Sequence, residues 1–348
     1  MSVLDSVVIG AGQAGLSASY HLKRRGLAHV VLDANERPGG AWQHRWDSLT
    51  MADVHGVADL PDAPAPGRSR ERANEAVARY FAAYERDNAL PVVRPTTVDR
   101  VTDDSDIIVV HAAHRSWRAR TLVNATGTWT QPFVPHYPGV ETFRGEQLHT
   151  VDYPGAEHFR GKRVLVVGGG ASAVQFLGEL APVSETIWVT RRPPVWRTDG
   201  FDAEAGREAV ALVEERVRRG LPPTSVVSVT GLGLREQERL AESLGAYRRR
   251  PMFTQIEPDG VRWPDGACER VDAILWATGF RPAVRHLAPL DLRSRYGGIQ
   301  LERNGTTTVA DPRLQLVGYG PSASTIGANR AGRAAAIAVS RHLSAVAA

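Results

Sequence analysis

Two glycine loops, each set between a β-branched run and a helical stretch, restrict this chain more than any other feature. Val7-Val8-Ile9 runs into Gly10-Ala11-Gly12-Gln13-Ala14-Gly15, which fits GxGxxG. A helix is expected over Ala14 to Arg25, closed by Gly26, and a second strand over Val30 to Leu32. In such a βαβ unit the first glycine permits the tight turn. The second leaves room for a pyrophosphate against the backbone, and the third lets the helix pack on the strand. The unpaired N–H groups of the helix N-terminus then face the phosphates. Asp33 ends the second strand, where a carboxylate can accept from ribose hydroxyls and would repel a 2′-phosphate. The first nucleotide is therefore expected on Gly10, Gly12, Gln13, Ala14, Gly15, Asp33 and Ala34.

The pattern returns after 158 positions, with Gly168-Gly169-Gly170-Ala171-Ser172-Ala173 fitting GxGxxA between a strand, Arg163 to Val167, and a helix, Ala171 to Ala181. The offset carries Gly10 to Gly168, Gly12 to Gly170 and Gly15 to Ala173, and it carries Asp33 to Arg191. A guanidinium, followed by Arg192, thus replaces the ribose-binding carboxylate. Arginine offers paired donors to a phosphate and keeps its charge, so the second unit is expected to prefer NADPH over NADH. Its expected contacts are Gly168, Gly170, Ala171, Ser172, Ala173, Arg191 and Arg192. Two dinucleotide sites in one chain suit a flavoprotein, FAD first and the nicotinamide nucleotide second.

The stretch between the two units is expected to hold a loop over Ser48 to Arg72 and a helix over Asn74 to Asp87. Strands are expected at Val98 to Val101, Ile107 to Ala112 and Thr121 to Ala125, as a meander. After the second unit come a charged helix over Asp202 to Arg219, strands at Val271 to Trp276 and Leu314 to Val317, and a final helix over Ile326 to Leu343. This order predicts an α/β fold of two Rossmann-like dinucleotide-binding domains, the NADPH domain inserted into the FAD domain. The expected bounds are 1–157 and 285–348 for the FAD domain and 158–284 for the NADPH domain.

Composition narrows the function. At 348 residues, 43% hydrophobic and 23% charged, the chain can build two cores. The net charge of +4 is small, and the basic side is nearly all arginine, with Lys23 and Lys162 the lysines. No dense basic block argues for nucleic acid. The single cysteine, Cys268, excludes a mechanism that passes electrons through an internal disulfide. No signal peptide, transmembrane run or metal-ligand spacing is read, so a cytoplasmic protein without metal is expected.

Smaller signals accompany the loops. Gly39-Gly40-Ala41-Trp42 follows the second strand, where Gly40 allows backbone approach to a flat cofactor and Trp42 could pack near it. Ala125-Thr126-Gly127 and Ala277-Thr278-Gly279 each end a strand after a βαβ unit, small enough for close crossing of chain and cofactor. Gly318-Tyr319-Gly320 precedes the last helix, near Ile326, whose N-terminus could stabilise charge on a reduced flavin.

The segment Phe143-Arg144-Gly145-Glu146-Gln147-Leu148-His149-Thr150-Val151-Asp152-Tyr153 fits FxGxxxHxxxY. With it the chain resembles, over nearly its whole length, the class B flavin-dependent monooxygenases, which include flavin-containing and Baeyer–Villiger monooxygenases, in their compact bacterial form. The resemblance implies an enzyme in which NADPH reduces FAD. The reduced flavin then reacts with O2 to give a C4a-(hydro)peroxide that oxygenates a small-molecule substrate, a soft S or N nucleophile or a ketone. The alternative is an oxidoreductase that releases H2O2 or reduces a quinone or partner. The resemblance also leaves a homodimer open. Pro154 follows Tyr153, a hybrid of the two subclasses, and no Asp follows Gly320. The asparagine of flavin-containing monooxygenases has no counterpart in Ser48 to Pro66, where Asp53 and His55 stand as candidate catalytic residues against a plain surface loop.

Overall fold

In a computed structural model, Val7, Val8 and Ile9 lie fully buried in strand β1, Leu4–Ile9. A strand apolar on both faces needs cover on both faces, which is the situation of a parallel sheet. The structure describes residues 2–54, 57–196, 203–224, 232–234 and 236–346, with the backbone alone at 203–210, 236–237 and 325–326. His55 lies outside the described residues.

The chain divides into two units, one of Met1–Thr130, Glu208–Val226 and Pro282–Ala348, the other of Gln131–Arg207 and Val227–Arg281. In the first, β1 leads through helix α1, Gln13–Lys23, to β2, His29–Leu32. Helix α2, Ala73–Asp87, precedes β3, Val92–Val93. Strands β4, Arg100–Asp104, β5, Ile107–Ala112, and β6, Arg115–Asn124, form the antiparallel meander. The sheet runs β3-β2-β1-β6-β5-β4. Strand β6 is longer than the Thr121 to Ala125 run suggests and has two roles. Arg115 to Ala119 pairs with β5, while Ala119 to Asn124 runs parallel to β1.

In the second unit, β7, Glu146–His149, comes first, and the FxGxxxHxxxY segment is therefore partly a strand. Then follow β8, Arg163–Val167, helix α3, Ala171–Leu180, and β9, Glu185–Val189. Helix α4, Ala203–Arg218, carries the chain into the first unit from Glu208 on, and after helix α5, Glu236–Ser243, the second unit continues with β10, Arg249–Arg250, and a three-stranded antiparallel sheet. Its strands are β11, Gln255–Glu257, β12, Gly260–Arg262, and β13, Cys268–Arg270. Strand β14, Ala273–Trp276, completes a parallel sheet of order β10-β9-β8-β14-β7.

Back in the first unit, β15, Leu314–Leu316, pairs parallel with the end of β6, and helix α6, Thr325–Val346, packs on α1. The two helices approach closely because Gly332 has no side chain: a Cβ there would lie 2.5 Å from Ser17 Oγ. Ser17 donates instead to the Asn329 carbonyl at 3.0 Å. In each unit the strand order reverses beside the strand that carries the glycine loop, at β1/β6 and at β8/β14. Such switch points open a crevice at the carboxyl ends of the strands.

Candidate functional site

The first glycine loop is built by close backbone contact on three sides and left open on the fourth. Gly10 has φ +99°, a region costly to any residue with a Cβ, and a Cβ there would come 2.6 Å from the Ala125 carbonyl oxygen. A Cβ at Gly15 would overlap the Gly10 carbonyl itself. Gly40 turns at φ +52° and brings the Gly39-Gly40 turn against the loop, since a Cβ there would lie 2.8 Å from Gly12 Cα. At Gly12 a Cβ would meet nothing within 4 Å. The position that the sequence assigns to a pyrophosphate is thus the open one. Gly12 also caps α1 without any side-chain acceptor, and no acidic residue lies in the first turn, so the helix N-terminus keeps its donors for a ligand.

The second loop repeats this construction with different residues. Gly168 has φ +142°, and a Cβ there would overlap the Ala277 carbonyl oxygen. Gly170, the N-cap of α3, again faces open space, has no side-chain cap and no acid in the first turn. Trp188 Nε1 donates to the Gly168 carbonyl at 2.7 Å and fixes the turn. Ala173, in the place of Gly15, is fully buried, so α3 stands off its strand by a methyl group. The Ala-Thr-Gly tripeptides therefore back the two loops, because the alanine carbonyl of each packs on the first glycine of its own unit.

Polar side chains hold both tripeptides in place. Thr126 Oγ1 donates to the Ala283 carbonyl at 2.6 Å and accepts from Asn124 Nδ2 at 3.0 Å. Asn124 Oδ1 in turn accepts from His286 Nε2 at 2.7 Å. Burial pushes the His286 pKa down to about 4, so the ring stays neutral with its proton on Nε2. In the second unit Thr278 Oγ1 donates to the Phe133 carbonyl. His149 Nε2 donates to the Gly279 carbonyl at 3.0 Å, while its Nδ1 faces the Val151 amide. Burial also lowers the His149 pKa. The histidine of the fingerprint is thus a fastener between β7 and the second tripeptide. Tyr153, at the end of the fingerprint, is buried against Phe159 and Phe176 and donates to Glu179 at 3.1 Å.

The two positions expected to select charge differ as their residues do. Asp33 is buried at the end of β2. Arg94 Nε donates to its Oδ2 at 2.8 Å, and Asn35 Nδ2 to its Oδ1 at 3.1 Å. The other edge of Arg94 is clamped by both Glu85 oxygens at 2.6 Å. Ala34, beside Asp33, is exposed. Arg191 and Arg192 emerge exposed after β9. Thr190 holds their turn: it donates to the Arg192 carbonyl at 2.6 Å and accepts from Arg249 Nε at 2.8 Å. No carboxylate among the described residues pairs with Arg191 or Arg192.

Other expected positions are engaged in their immediate surroundings. Gln13 is buried, donates to the Ala58 carbonyl at 2.7 Å and leaves Oε1 without a partner among the described residues. Ala14 is buried, and Ala171 and Ser172 are half-buried in the first turn of α3. Asp53 Oδ2 accepts from the amide and hydroxyl of Thr50 and closes its own turn. Gly320, at φ +59°, opens the turn before α6 because a Cβ would meet Val217 Cγ2 at 2.7 Å. Ser322 is bound to Tyr319 and Ser324 accepts from the Gly327 amide, so both shape the approach to α6, whose second residue is Ile326. Arg94, Glu85, Arg249, Asn124 and His286 carry no motif and were not expected from the sequence. The one available hint was a charge at a strand or helix end.

A family model described as pyridine nucleotide-disulphide oxidoreductase matches residues 7–221. Among solved structures, a flavin-containing monooxygenase from Stenotrophomonas maltophilia is similar over 99% of this chain and 100% of its own. It shares 37% identity, with a TM-score of 0.85. The "uncharacterized oxidoreductase CzcO" of Bacillus velezensis is 25% identical over 80% of this chain and 81% of its own. The indole-3-pyruvate monooxygenase YUCCA4 of Oryza sativa is 26% identical over 94% of this chain and 87% of its own. The chain therefore belongs to the pyridine nucleotide-disulphide oxidoreductase family, in its class B flavin-dependent monooxygenase branch. It is an FAD- and NADPH-dependent oxidoreductase, and no described helix is long and apolar enough to cross a membrane.

Proposed function

We propose that this enzyme oxygenates a small soft nucleophile, a thioether or amine, or a ketone, through a flavin C4a-(hydro)peroxide formed from O2. The observation that carries the reading is the full-length likeness to a flavin-containing monooxygenase, joined to two open glycine loops with opposite charges at their selecting positions. The hydride from NADPH and the activation of O2 are chemistry that the cofactors supply when bound. The chain's own residues bind and orient. Gly12 and the free amides of α1 would receive the FAD pyrophosphate, and Asp33 the adenosine ribose. Gly170 and the amides of α3 would receive the NADPH pyrophosphate, and Arg191 and Arg192 the 2′-phosphate. Asn124, Thr126 and His286 keep the first tripeptide rigid, as Thr278 and His149 do the second. Such fixed first and second layers are what alignment of two cofactors requires.

A second reading is an NADPH-dependent oxidase or reductase that releases H2O2 or passes electrons to a quinone. It draws on the positions before α6, where Ser322 and Ser324 serve their own turns and no acid follows Gly320. One experiment separates the two. Reduced, NADP⁺-bound enzyme is mixed with O2 in a stopped-flow spectrometer. A long-lived peroxyflavin spectrum, with oxygenated thioether as product, is expected. Stoichiometric H2O2 with no intermediate refutes oxygenation and leaves the oxidase.

A further inference from the structure

Arg45 directly follows the short helical turn Gly40–His44 and lies against two indoles. Its guanidinium lies 4.3 Å from the ring centroid of Trp129 and 5.6 Å from that of Trp42. Stacked rings screen the faces of a guanidinium but accept none of its in-plane N–H groups. The Nε is buried and has no acceptor among the described residues. No described carboxylate pairs with the group, and burial alone draws its pKa down to about 10. A half-buried cation whose Nε has no acceptor and which has no described counter-charge is costly to hold, and such an orphan asks for an absent partner.

The surroundings say what kind of partner. Both indoles ride on loops that abut the first glycine loop. Trp42 belongs to the turn opened by Gly40, which backs onto Gly12. Trp129 follows Gly127 of the tripeptide whose Ala125 backs onto Gly10. The in-plane N–H edge, with its Nε unpartnered, matches a planar pair of acceptor atoms.

We propose that Arg45 is a receptor for a planar anion in the flavin-binding unit. Two sources share that chemistry. One is the carboxylate of a substrate. The other is the N1–C2=O edge of the reduced flavin: hydride transfer turns NADPH into NADP⁺ and neutral FAD into FADH⁻, so a negative charge appears on the ring with no proton taken up. The flavin source rests on the function proposed above, whereas the carboxylate source does not.

The test uses Arg45→Met, with Arg45→Gln as a second neutral variant should the first fold poorly, and Arg45→Lys to restore charge. The first arm measures the flavin midpoint potential of the holoenzyme without substrate. If the reduced ring is the partner, loss of the cation weakens binding of reduced over oxidised flavin about tenfold, which lowers the potential by about 30 mV for a two-electron couple. Lysine recovers part of the loss. The second arm titrates the protein with benzoate and with benzamide by calorimetry, and needs no flavin. If a carboxylate is the partner, the wild-type protein binds benzoate at least tenfold more tightly than benzamide, and the neutral variants lose that preference. Either result supports the receptor and names its source. An unchanged potential together with equal affinity for benzoate and benzamide overturns it. A chain that binds no FAD refutes the flavoenzyme reading separately, and the benzoate arm still decides Arg45.

Discussion

Replacing Arg94 with glutamine should damage this protein more than any other exchange of one polar residue for another near the first nucleotide site. The side chain is 11% exposed, with Asp33 at 5% and Glu85 at 10%. One cation therefore serves two carboxylates in a nearly dry setting, through bonds of 2.8 Å to Asp33 and 2.6 Å to each Glu85 oxygen. Burial works against the Arg94 charge, yet Glu85 and then Asp33 hold its pKa above the ordinary value. Taking the cation away leaves two buried carboxylates facing each other. Breaking a buried pair in this way costs about 3–5 kcal/mol, a large part of the roughly 5–15 kcal/mol that holds a domain together. Urea unfolding of FAD-free protein at pH 7.5 measures the loss. The pH dependence adds a signature. Unpaired buried carboxylates have folded-state pKa values above their unfolded ones, so the variant gains stability relative to wild type as pH falls through that raised range. The deficit should therefore narrow between pH 7.5 and 5. A Glu85→Gln change added to the variant should recover part of the deficit, about 1–2 kcal/mol, because only one orphan carboxylate remains. FAD affinity should fall with the loss of a fixed Asp33. A variant within about 1 kcal/mol of wild type, or a deficit that widens on acidification, would refute the reasoning.

Gly12→Ala should leave the FAD-free fold within about 0.5 kcal/mol of wild type, because φ is −79° and a Cβ there meets nothing within 4 Å, yet weaken FAD binding tenfold or more. Gly10→Ala, at φ +99° and 2.6 Å from the Ala125 oxygen, should instead destabilise the fold itself, by about 1–3 kcal/mol of backbone strain or more; unfolding curves beside FAD titrations distinguish the two. Arg191→Ala should cut the preference for NADPH over NADH about ten- to hundredfold in kcat/KM, the worth of one or two bonds to a charged group; an unchanged ratio removes Arg191 from cofactor selection. His286 has its folded pKa lowered to about 4 by burial, so its contribution is complete above the unfolded value near 6.5 and is lost as pH falls from there towards 4. With a discount for the partly exposed ring this is about 2 kcal/mol, and His286→Gln should flatten that part of the stability curve.

What could be read from the sequence, and what could not, follows from how far each interaction reaches along the chain. The glycine loops were legible because their constraints are local: strand, turn and helix start lie within a few residues. A fixed offset then aligned Asp33 with Arg191 without any knowledge of the fold. The meander was legible only in its apolar parts. Arg115 to Arg118 is exposed or half-buried and carries two arginines, so the first half of β6 stayed hidden while its buried second half did not. The hairpins of β11 to β13 were marked by Pro258-Asp259-Gly260 and Pro264-Asp265-Gly266, but strands of three residues give too short an alternation to read. The partners of the site residues fall in a harder class. Arg94 reaches Asp33 across 61 positions and His286 reaches Asn124 across 162, and nothing at either end announces the other. Arg45 is harder still, since a lone arginine in a loop reads as solvated and only the two indoles around it reveal the contrary. The motifs therefore mark where the nucleotides are expected, while the residues that would set charge and rigidity at those places come from tertiary packing. The variants at Gly10, Gly12 and Arg191 test the first group and those at Arg94, Glu85 and His286 the second, because a role inferred from a motif can be correct even when the shell that supports it is not.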